Sequence, residues 1–162
     1  MKYKFIFICI LILIIYLMFV LGMFKHVLTF FWGEKEDYYI IIEQFENNKE
    51  MFEKSLNELL KVKEEISVEV EKEKILVFEY DNNSKTEVLT EELYKYENTI
   101  NLLKNLNLKD IHKYDNNVVY LFNSQILSGQ YIAKMYDENQ IKKFYNINKI
   151  INLENNWYYF ET

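Results

Sequence analysis

The stretch Ile66–Tyr80, ISVEVEKEKILVFEY, decides the fold, because its apolar residues take the spacing of a β-strand. The second half, Ile75–Tyr80, is rich in the β-branched and aromatic residues that strands favour. The stretch predicts one long strand or a hairpin that turns near Glu71–Glu73, where no glycine or Asn-Gly pair marks a turn. In the first half, apolar residues alternate with polar ones, which predicts one buried face: Ile66, Val68 and Val70.

The residues before this stretch, 33–65, predict a membrane-proximal amphipathic helix. Acidic residues stand at its N-terminal end, where the helix dipole favours them. Lys49 and Lys63 occupy two heptad positions, which argues against a long coiled coil. We therefore expect the helix to pack on the sheet, with self-association as the alternative. The apolar residues at heptad spacing are Tyr38, Ile42, Phe45, Phe52, Leu56, Leu59 and Ile66.

The residues after the stretch predict a second helix and then a series of strands. Thr90, followed by two glutamates, is a suitable helix start, and the apolar face continues to about Leu108. The fold class is therefore α+β, with an N-terminal transmembrane helix and then two helices packed on an antiparallel sheet or meander. The predicted later strands are Ile111–Tyr114, Val118–Asn123, Tyr131–Tyr136, Ile141–Tyr145 and Trp157–Phe160.

The transmembrane prediction rests on residues 5–24, FIFICILILIIYLMFVLGMF, which contain no charge. Twenty residues at about 1.5 Å each span about 30 Å, the hydrocarbon thickness of a bilayer. The apolar run is longer than that of a secretory leader, and no Ala-x-Ala cleavage site follows it. We expect a retained single-pass anchor in the cell membrane, with a cleaved leader as the alternative.

Residues 1–32 are thus predicted to form the anchor, and 33–162 a single α+β domain. The lysines near the N-terminus weakly favour a cytoplasmic N-terminus, which makes the domain extracytoplasmic. The end of the anchor is predicted to lie at the membrane interface, where lysine and aromatic side chains concentrate. The interfacial residues are Lys25, Phe30, Phe31 and Trp32.

The composition of the domain limits its partners. Beyond Trp32 the chain has sixteen lysines, no arginine and twenty-five acidic residues, a formal charge of −9. Such a surface argues against nucleic acid, whose phosphates require basic residues, and is compatible with a basic protein or peptide. The single cysteine, Cys9, lies in the predicted anchor, so the domain has no disulfide.

The residues that support catalysis are scarce. Beyond the predicted anchor, His112 is the one histidine, and we interpret it as an ordinary sheet residue. Three glycines in the chain do not allow a glycine-rich phosphate loop, and Ser128 before Gly129 fits a turn better than a nucleophile. We predict a protein that is not an enzyme and has no cofactor or metal.

The C-terminal stretch Asn155–Thr162, NNWYYFET, is the strongest candidate for a partner-binding surface. Its alternating aromatic residues could expose Trp157 and Tyr159 on one face of a strand. The alternative, which we favour, is a terminal strand that fills the core.

The sequence from about Ile111 to the end carries a set of short aromatic motifs: VVYLFNS, SG, YIAKMYDENQ and NNWYYF. In these motifs the chain resembles uncharacterised small membrane-anchored or lipoprotein-like proteins of low-GC Gram-positive bacteria. The resemblance covers roughly a third of the chain and implies an envelope location without a known activity.

Three functions fit these features. The first is a membrane-anchored, non-enzymatic interaction protein at the cell envelope, with immunity against a toxin or bacteriocin as its specific form. The second is a structural or assembly component of the envelope that acts through helix self-association, although the sequence does not determine the oligomeric state. The third is a membrane-bound hydrolase, which the scarcity of catalytic residues disfavours.

Overall fold

The computed structural model places helices on one face of an antiparallel sheet, which confirms the α+β class. It describes residues 37–81, 84–125, 128–136 and 145–162, together with Tyr16, Leu17, Phe19, Gly22, Asn139 and Lys142. In chain order the elements are α1 (Tyr38–Asn47), α2 (Lys49–Leu59), β1 (Glu65–Glu71), β2 (Lys74–Asp81), β3 (Ser84–Glu87), a 3₁₀ helix (Thr90–Tyr96), α3 (Glu97–Asn105), β4 (Asp110–Tyr114), β5 (Asn117–Gln125), β6 (Ser128–Lys134), β7 (Lys149–Asn152) and β8 (Trp157–Glu161).

Within the described residues, eight strands form one sheet in the order β3-β2-β1-β4-β5-β6-β8-β7. The chain divides into two compact units, and the larger, Lys35–Ser124 with Ser128–Thr162, carries every element named above except the last residue of β5.

Of the two predicted alternatives, one long strand or a hairpin, the hairpin forms, and it turns on two residues that are unusual at such a position. β1 and β2 pair antiparallel from Glu65 opposite Tyr80 to Glu71 opposite Lys74. Lys72 and Glu73 between them have φ of 48° and 67°. Two positive φ values in a two-residue connection match the right-handed twist of the strands, which is why asparagine and glycine are usual there.

The single helix predicted over 33–65 is interrupted and ends earlier. Asn48 separates α1 from α2, and its side-chain amide donates to the carbonyl of Gln44 at 2.8 Å. This local bond ends α1, because a short amide side chain offers the backbone an alternative to the helix. α2 then ends at Leu59, and Glu65 already belongs to β1.

The main core lies between the helices and the sheet. Phe52 of α2 lies 4.9 Å from Tyr120 of β5, and Phe45 of α1 lies 5.0 Å from Trp157 of β8, measured between ring centroids. The apolar stripe of the first two helices is therefore buried against the sheet, as the packing interpretation expected. A second core covers the opposite face near β8, formed by Val119, Ala133, Met135, Tyr158 and Phe160.

The predicted anchor, residues 1–32, lies outside the described residues except for four positions. Those four are helical, and they are Tyr16, Leu17, Phe19 and Gly22. Within the part of the chain that is described, no helix has both the length and the apolar character needed to cross a bilayer. The interfacial prediction for Lys25, Phe30, Phe31 and Trp32 also falls outside the described residues.

Candidate functional site

A groove of about 700 Å³ opens beside the edge of the sheet, between β2 and α3. Its base is formed by Ile75 and Val77 of β2, and one wall is formed by Ile100 and Leu103 of α3. Val88, just before the 3₁₀ helix, and Leu93, within it, close one end of the groove. Val70 and Leu108 close the other end. Volume and apolar lining fall in the range of ligand-binding clefts.

The groove exists because the long helices do not cover this end of the sheet. The rings of Phe45 and Phe52 lie against β5 and β8, so α1 and α2 cover the middle and the far side. Near β2 the described part of the chain supplies only the 3₁₀ helix and α3, and Ile75, Leu93 and Ile100 remain partly exposed. The strand next to the edge thus presents apolar side chains without a complete helical cover.

Backbone hydrogen bonds fix the two ends of the groove. The amide of Val88 donates to the carbonyl of Val77 at 2.8 Å, which holds the start of the 3₁₀ helix against β2. The amide of Val70 donates to the carbonyl of Lys109 at 3.4 Å, which holds the segment after α3 beside the hairpin. One end is therefore formed by the hairpin and the C-terminal end of α3, and the other by the start of the 3₁₀ helix.

The charged residues around the groove differ between its ends. Lys74 and Lys104 lie at the hairpin end together with Glu73, whereas Glu87 lines the end near the 3₁₀ helix and Glu91 follows the lining residue Thr90. Among the described residues, none of these five side chains forms an ion pair. The hairpin end of the groove is therefore of mixed charge, and the other end is acidic.

Exposed apolar side chains accompany the groove. Val70, which lines it, is 44% exposed. Leu89 and Tyr94, each next in sequence to a lining residue, are 62% and 73% exposed. These exposed apolar residues lie at both ends of the groove, Val70 at the hairpin end and Leu89 and Tyr94 near the 3₁₀ helix.

A smaller cavity of about 510 Å³ lies between α2 and the start of α3, and its carboxylate already has partners. Lys54, Lys61 and Lys95 line it together with Glu58. The Glu58 carboxylate accepts hydrogen bonds from the backbone amides of Asn98 and Thr99 at 3.1 and 2.8 Å. The position that an external anion would take at the N-terminus of α3 is thus filled by the protein itself.

The sheet face opposite the helices carries a pair of polar rows on β1 and β4. Ser67 stands opposite His112, and Glu69 stands opposite Asp110. The His112 Nε2 donates to Asp110 Oδ2 at 2.5 Å, and Ser67 Oγ donates to Glu69 Oε1 at 2.6 Å. Because the proton of the Ser67 hydroxyl goes to Glu69, this set does not form the serine–histidine pair that a nucleophile requires.

The second carboxylate oxygen of Asp110, Oδ1, is buried and accepts no hydrogen bond from the described residues. No group of three or more histidine, cysteine, aspartate and glutamate side chains in the described part of the chain is placed to hold a metal ion. Among the described residues, His112 therefore has one carboxylate partner, Asp110, and belongs to no group of metal ligands.

The structure buries the aromatic residues that the sequence offered as a partner-binding surface. Trp157 and Tyr159 are 0% exposed, and their rings lie in the main core. The aromatic residues do alternate between the two faces of β8, but the main core covers one face and the second core covers the other. The exposed aromatic row is not formed, and the alternative of a core strand describes this segment.

Sequence reasoning did not identify the groove. Its apolar residues are dispersed over β1, β2, the 3₁₀ helix, α3 and the segment after α3, so no local motif joins them. A weak signal was present in Val88 and Leu89, two adjacent apolar residues just before a helix that begins at Thr90. One of them is buried and the other exposed, which the sequence does not distinguish.

No protein-family model, curated protein or solved structure matches this chain.

Proposed function

We propose that this protein is a membrane-anchored, non-enzymatic interaction protein of the cell envelope. The observation that carries the proposal is the apolar groove between β2 and α3, with its exposed Val70. The uncharged run 5–24 supplies the anchor in this proposal, and the lysines before it favour an extracytoplasmic domain.

Several features favour binding over catalysis. The groove is lined mainly by aliphatic side chains, and its charged lining residues are two lysines and two glutamates, Lys74, Lys104, Glu73 and Glu87. The described domain's one histidine lies on the opposite face of the sheet, on β4, and is bonded to Asp110. Catalysis requires a nucleophile or an acid–base pair beside the bound substrate, and the groove is not built around one.

The specific biological form that we propose is immunity against a toxin or bacteriocin. The formal charge of −9 beyond Trp32 favours association with a basic protein or peptide, since opposite charges accelerate encounter. The resemblance of residues 111–162 to small membrane-anchored or lipoprotein-like proteins agrees with an envelope location. Cells that lack the gene should become sensitive to a toxin encoded nearby, and unchanged sensitivity would remove this form of the proposal.

The anchor is tested by flotation of the full chain with lipid vesicles. We expect the intact protein in the lipid fraction after alkaline carbonate washing. Leu13→Lys, in the middle of the run 5–24, should reduce insertion, because a central lysine costs about 3 kcal/mol. Tyr94→Lys, at an exposed position of the domain, is the matched control and should float like the original chain. Recovery of the original chain in the soluble fraction would overturn the anchor.

Assembly through helix self-association is the alternative function. The exposed Tyr39 and Ile40 at the start of α1 are the observation that favours it. Against it, Phe45, Phe52 and Leu59 of the first two helices are buried beneath the sheet face and are not available to a second copy. Crosslinking in membranes distinguishes the two functions, since only the assembly function requires oligomers.

A further inference from the structure

We infer that the first turn of α1 lies, through Tyr39 and Ile40, in the headgroup layer of a zwitterionic lipid surface. This inference rests on the proposed function, because it assumes that residues 5–24 are embedded in a bilayer. It adds a second lipid contact, which the folded domain itself makes, and it leaves the groove between β2 and α3 to the protein partner.

The first turn of α1 presents two large apolar side chains that the described domain does not cover. Tyr39 is 65% exposed and Ile40 is 47% exposed, whereas the next residue, Ile41, is buried in the main core. An exposed tyrosine beside an aliphatic residue suits the membrane interface, because the apolar parts leave water while the hydroxyl remains hydrated.

Several contacts hold this turn in place. The Asp37 carboxylate, at the N-cap, accepts from the Tyr39 amide at 3.1 Å. Lys149 Nζ, at the start of β7, lies 3.0 Å from the centroid of the Tyr38 ring. The Tyr38 and Tyr39 ring centroids are in turn 4.0 Å apart. The turn is therefore fixed against the β7 edge of the sheet, and a surface that receives Tyr39 and Ile40 also orients the sheet.

The length of the chain before α1 indicates which surface this is. Trp32, the last residue of the predicted interfacial end, precedes Tyr39 by seven residues. Seven residues span at most about 25 Å when fully extended. The lipid surface is thus always within reach of the turn, and a tethered contact forms at a high effective concentration. A soluble partner lacks this advantage, so two exposed side chains are sufficient for lipid and insufficient for such a partner.

The charges beside the turn select the class of lipid. Asp37 at the N-cap and Glu43 on α1 are exposed, and Lys149 lies over the Tyr38 ring. Two carboxylates and one ammonium give no net attraction to anionic headgroups. The contact therefore depends on the apolar parts of the side chains and is favoured on zwitterionic lipid.

The test places the full chain, one copy per disc, in nanodiscs of zwitterionic lipid that carry a few spin-labelled headgroups. The label broadens NMR signals close to the headgroups, and the reporters are the methyl groups of Ile40 and Leu89. Leu89 is the matched control, since it is 62% exposed and follows β3, the edge strand opposite β7. Eight strands have seven spacings, which separate the two edges by about 34 Å along the sheet.

The broadening should be at least about threefold greater at Ile40 than at Leu89, because the two edges of the sheet are far apart. Tyr39→Asp should reduce the broadening of Ile40 to the level of Leu89, since a carboxylate disfavours the membrane interface. Tyr94→Asp, at a site that is 73% exposed on the 3₁₀ helix, is the control and should leave the broadening of Ile40 unchanged. The comparison of Ile40 with Leu89 in the original chain requires no variant, so it decides the inference even if a variant does not fold.

Three results would overturn the inference. These are equal broadening at Ile40 and Leu89, broadening of Ile40 that Tyr39→Asp does not change, and loss of the Ile40 broadening when each disc holds two chains. The last result would assign the turn to a second copy. Flotation of the same samples separates the inference from the anchor. A chain that floats with equal broadening contradicts the inference alone, whereas a chain that does not float contradicts the anchor and the inference together.

Discussion

The carboxylate of Glu58, on α2, serves as the N-terminal cap of α3 through Thr99. Glu58 Oε2 accepts from the Thr99 amide at 2.8 Å and from the Thr99 hydroxyl at 2.7 Å. The side chain of Tyr96, the residue at the N-cap position, makes no capping hydrogen bond to the backbone of α3. A free amide at a helix start requires an acceptor, so the start of α3 depends on a residue 41 positions earlier in the chain.

Glu58→Gln should destabilise the domain by about 1–2 kcal/mol, the usual cost of losing a cap. Glutamine keeps only one acceptor oxygen, so it can accept the hydrogen bonds of Asn98 or those of Thr99 but not both, although the side chain keeps its size. Urea denaturation followed by circular dichroism measures the change.

Glu50→Gln is the control for this prediction. Glu50 also lies on α2 and forms an ion pair with Lys54, but both side chains are largely exposed. Its replacement should leave the unfolding midpoint nearly unchanged, because exposed ion pairs contribute little. Equal effects of the two substitutions would show that Glu58 acts as a surface charge and not as a cap.

Trp157→Ala should destabilise the domain by about 3–5 kcal/mol, because it removes a large side chain from the centre of the main core. The Trp157 indole is fully buried, contacts Phe45, and donates from Nε1 to Glu53 Oε1 at 3.0 Å. Thermal unfolding measured by circular dichroism gives the change. Tyr94→Ala, at a site that is 73% exposed, should unfold at the original temperature. A Trp157→Ala protein that melts normally would contradict the burial of β8.

Glu73→Gly should stabilise the domain by about 1 kcal/mol, because glycine adopts a positive φ without the steric cost that other residues carry. Glu73 has φ of 67° in the turn between β1 and β2. The comparison is Glu71→Gly, two residues earlier in β1, which should destabilise the strand. Urea unfolding of both variants checks the prediction, and destabilisation by Glu73→Gly would indicate a different turn.

The elements of the fold that were predictable from the sequence are those with a clear local periodicity. The helix start at Thr90 and the strands around Ile111–Tyr114, Val118–Asn123 and Trp157–Phe160 follow from local periodicity, and each is present. Two short edge strands, β3 and β7, were not predicted. Each has only four residues, too few to establish a period, and each forms by pairing with a neighbouring strand.

The candidate site was less predictable than the fold, because it depends on contacts between distant segments. Val70 and Leu103 meet at the groove only after the hairpin and α3 pack together. Burial of Trp157 likewise depends on α1 and α2, whose Phe45 and Phe52 rings pack against it. Periodicity identified two faces on β8, but whether a second layer covers a face is decided by tertiary structure.

The final prediction concerns alkaline pH, where Tyr96 should make the domain less stable as the pH rises. Tyr96 is buried, and its hydroxyl donates to Glu79 Oε1 at 2.5 Å. Burial, with the neighbouring Glu79 carboxylate, raises the pKa of Tyr96 above its usual value of 10.0, since both disfavour the tyrosinate.

The sign of this effect follows from proton binding. Below pH 10 the tyrosine is neutral in both states, so its contribution to stability is complete. Above pH 10 the unfolded chain releases the proton while the native state retains it, so the free energy of unfolding decreases as the pH rises towards the pKa of the folded state. Tyr96→Phe should cost about 1 kcal/mol at neutral pH and make the alkaline decrease shallower. Tyr94→Phe, at an exposed position, should keep the original slope. Urea midpoints measured across this pH range test the expectation, and an unchanged slope in Tyr96→Phe would assign the alkaline loss to other groups.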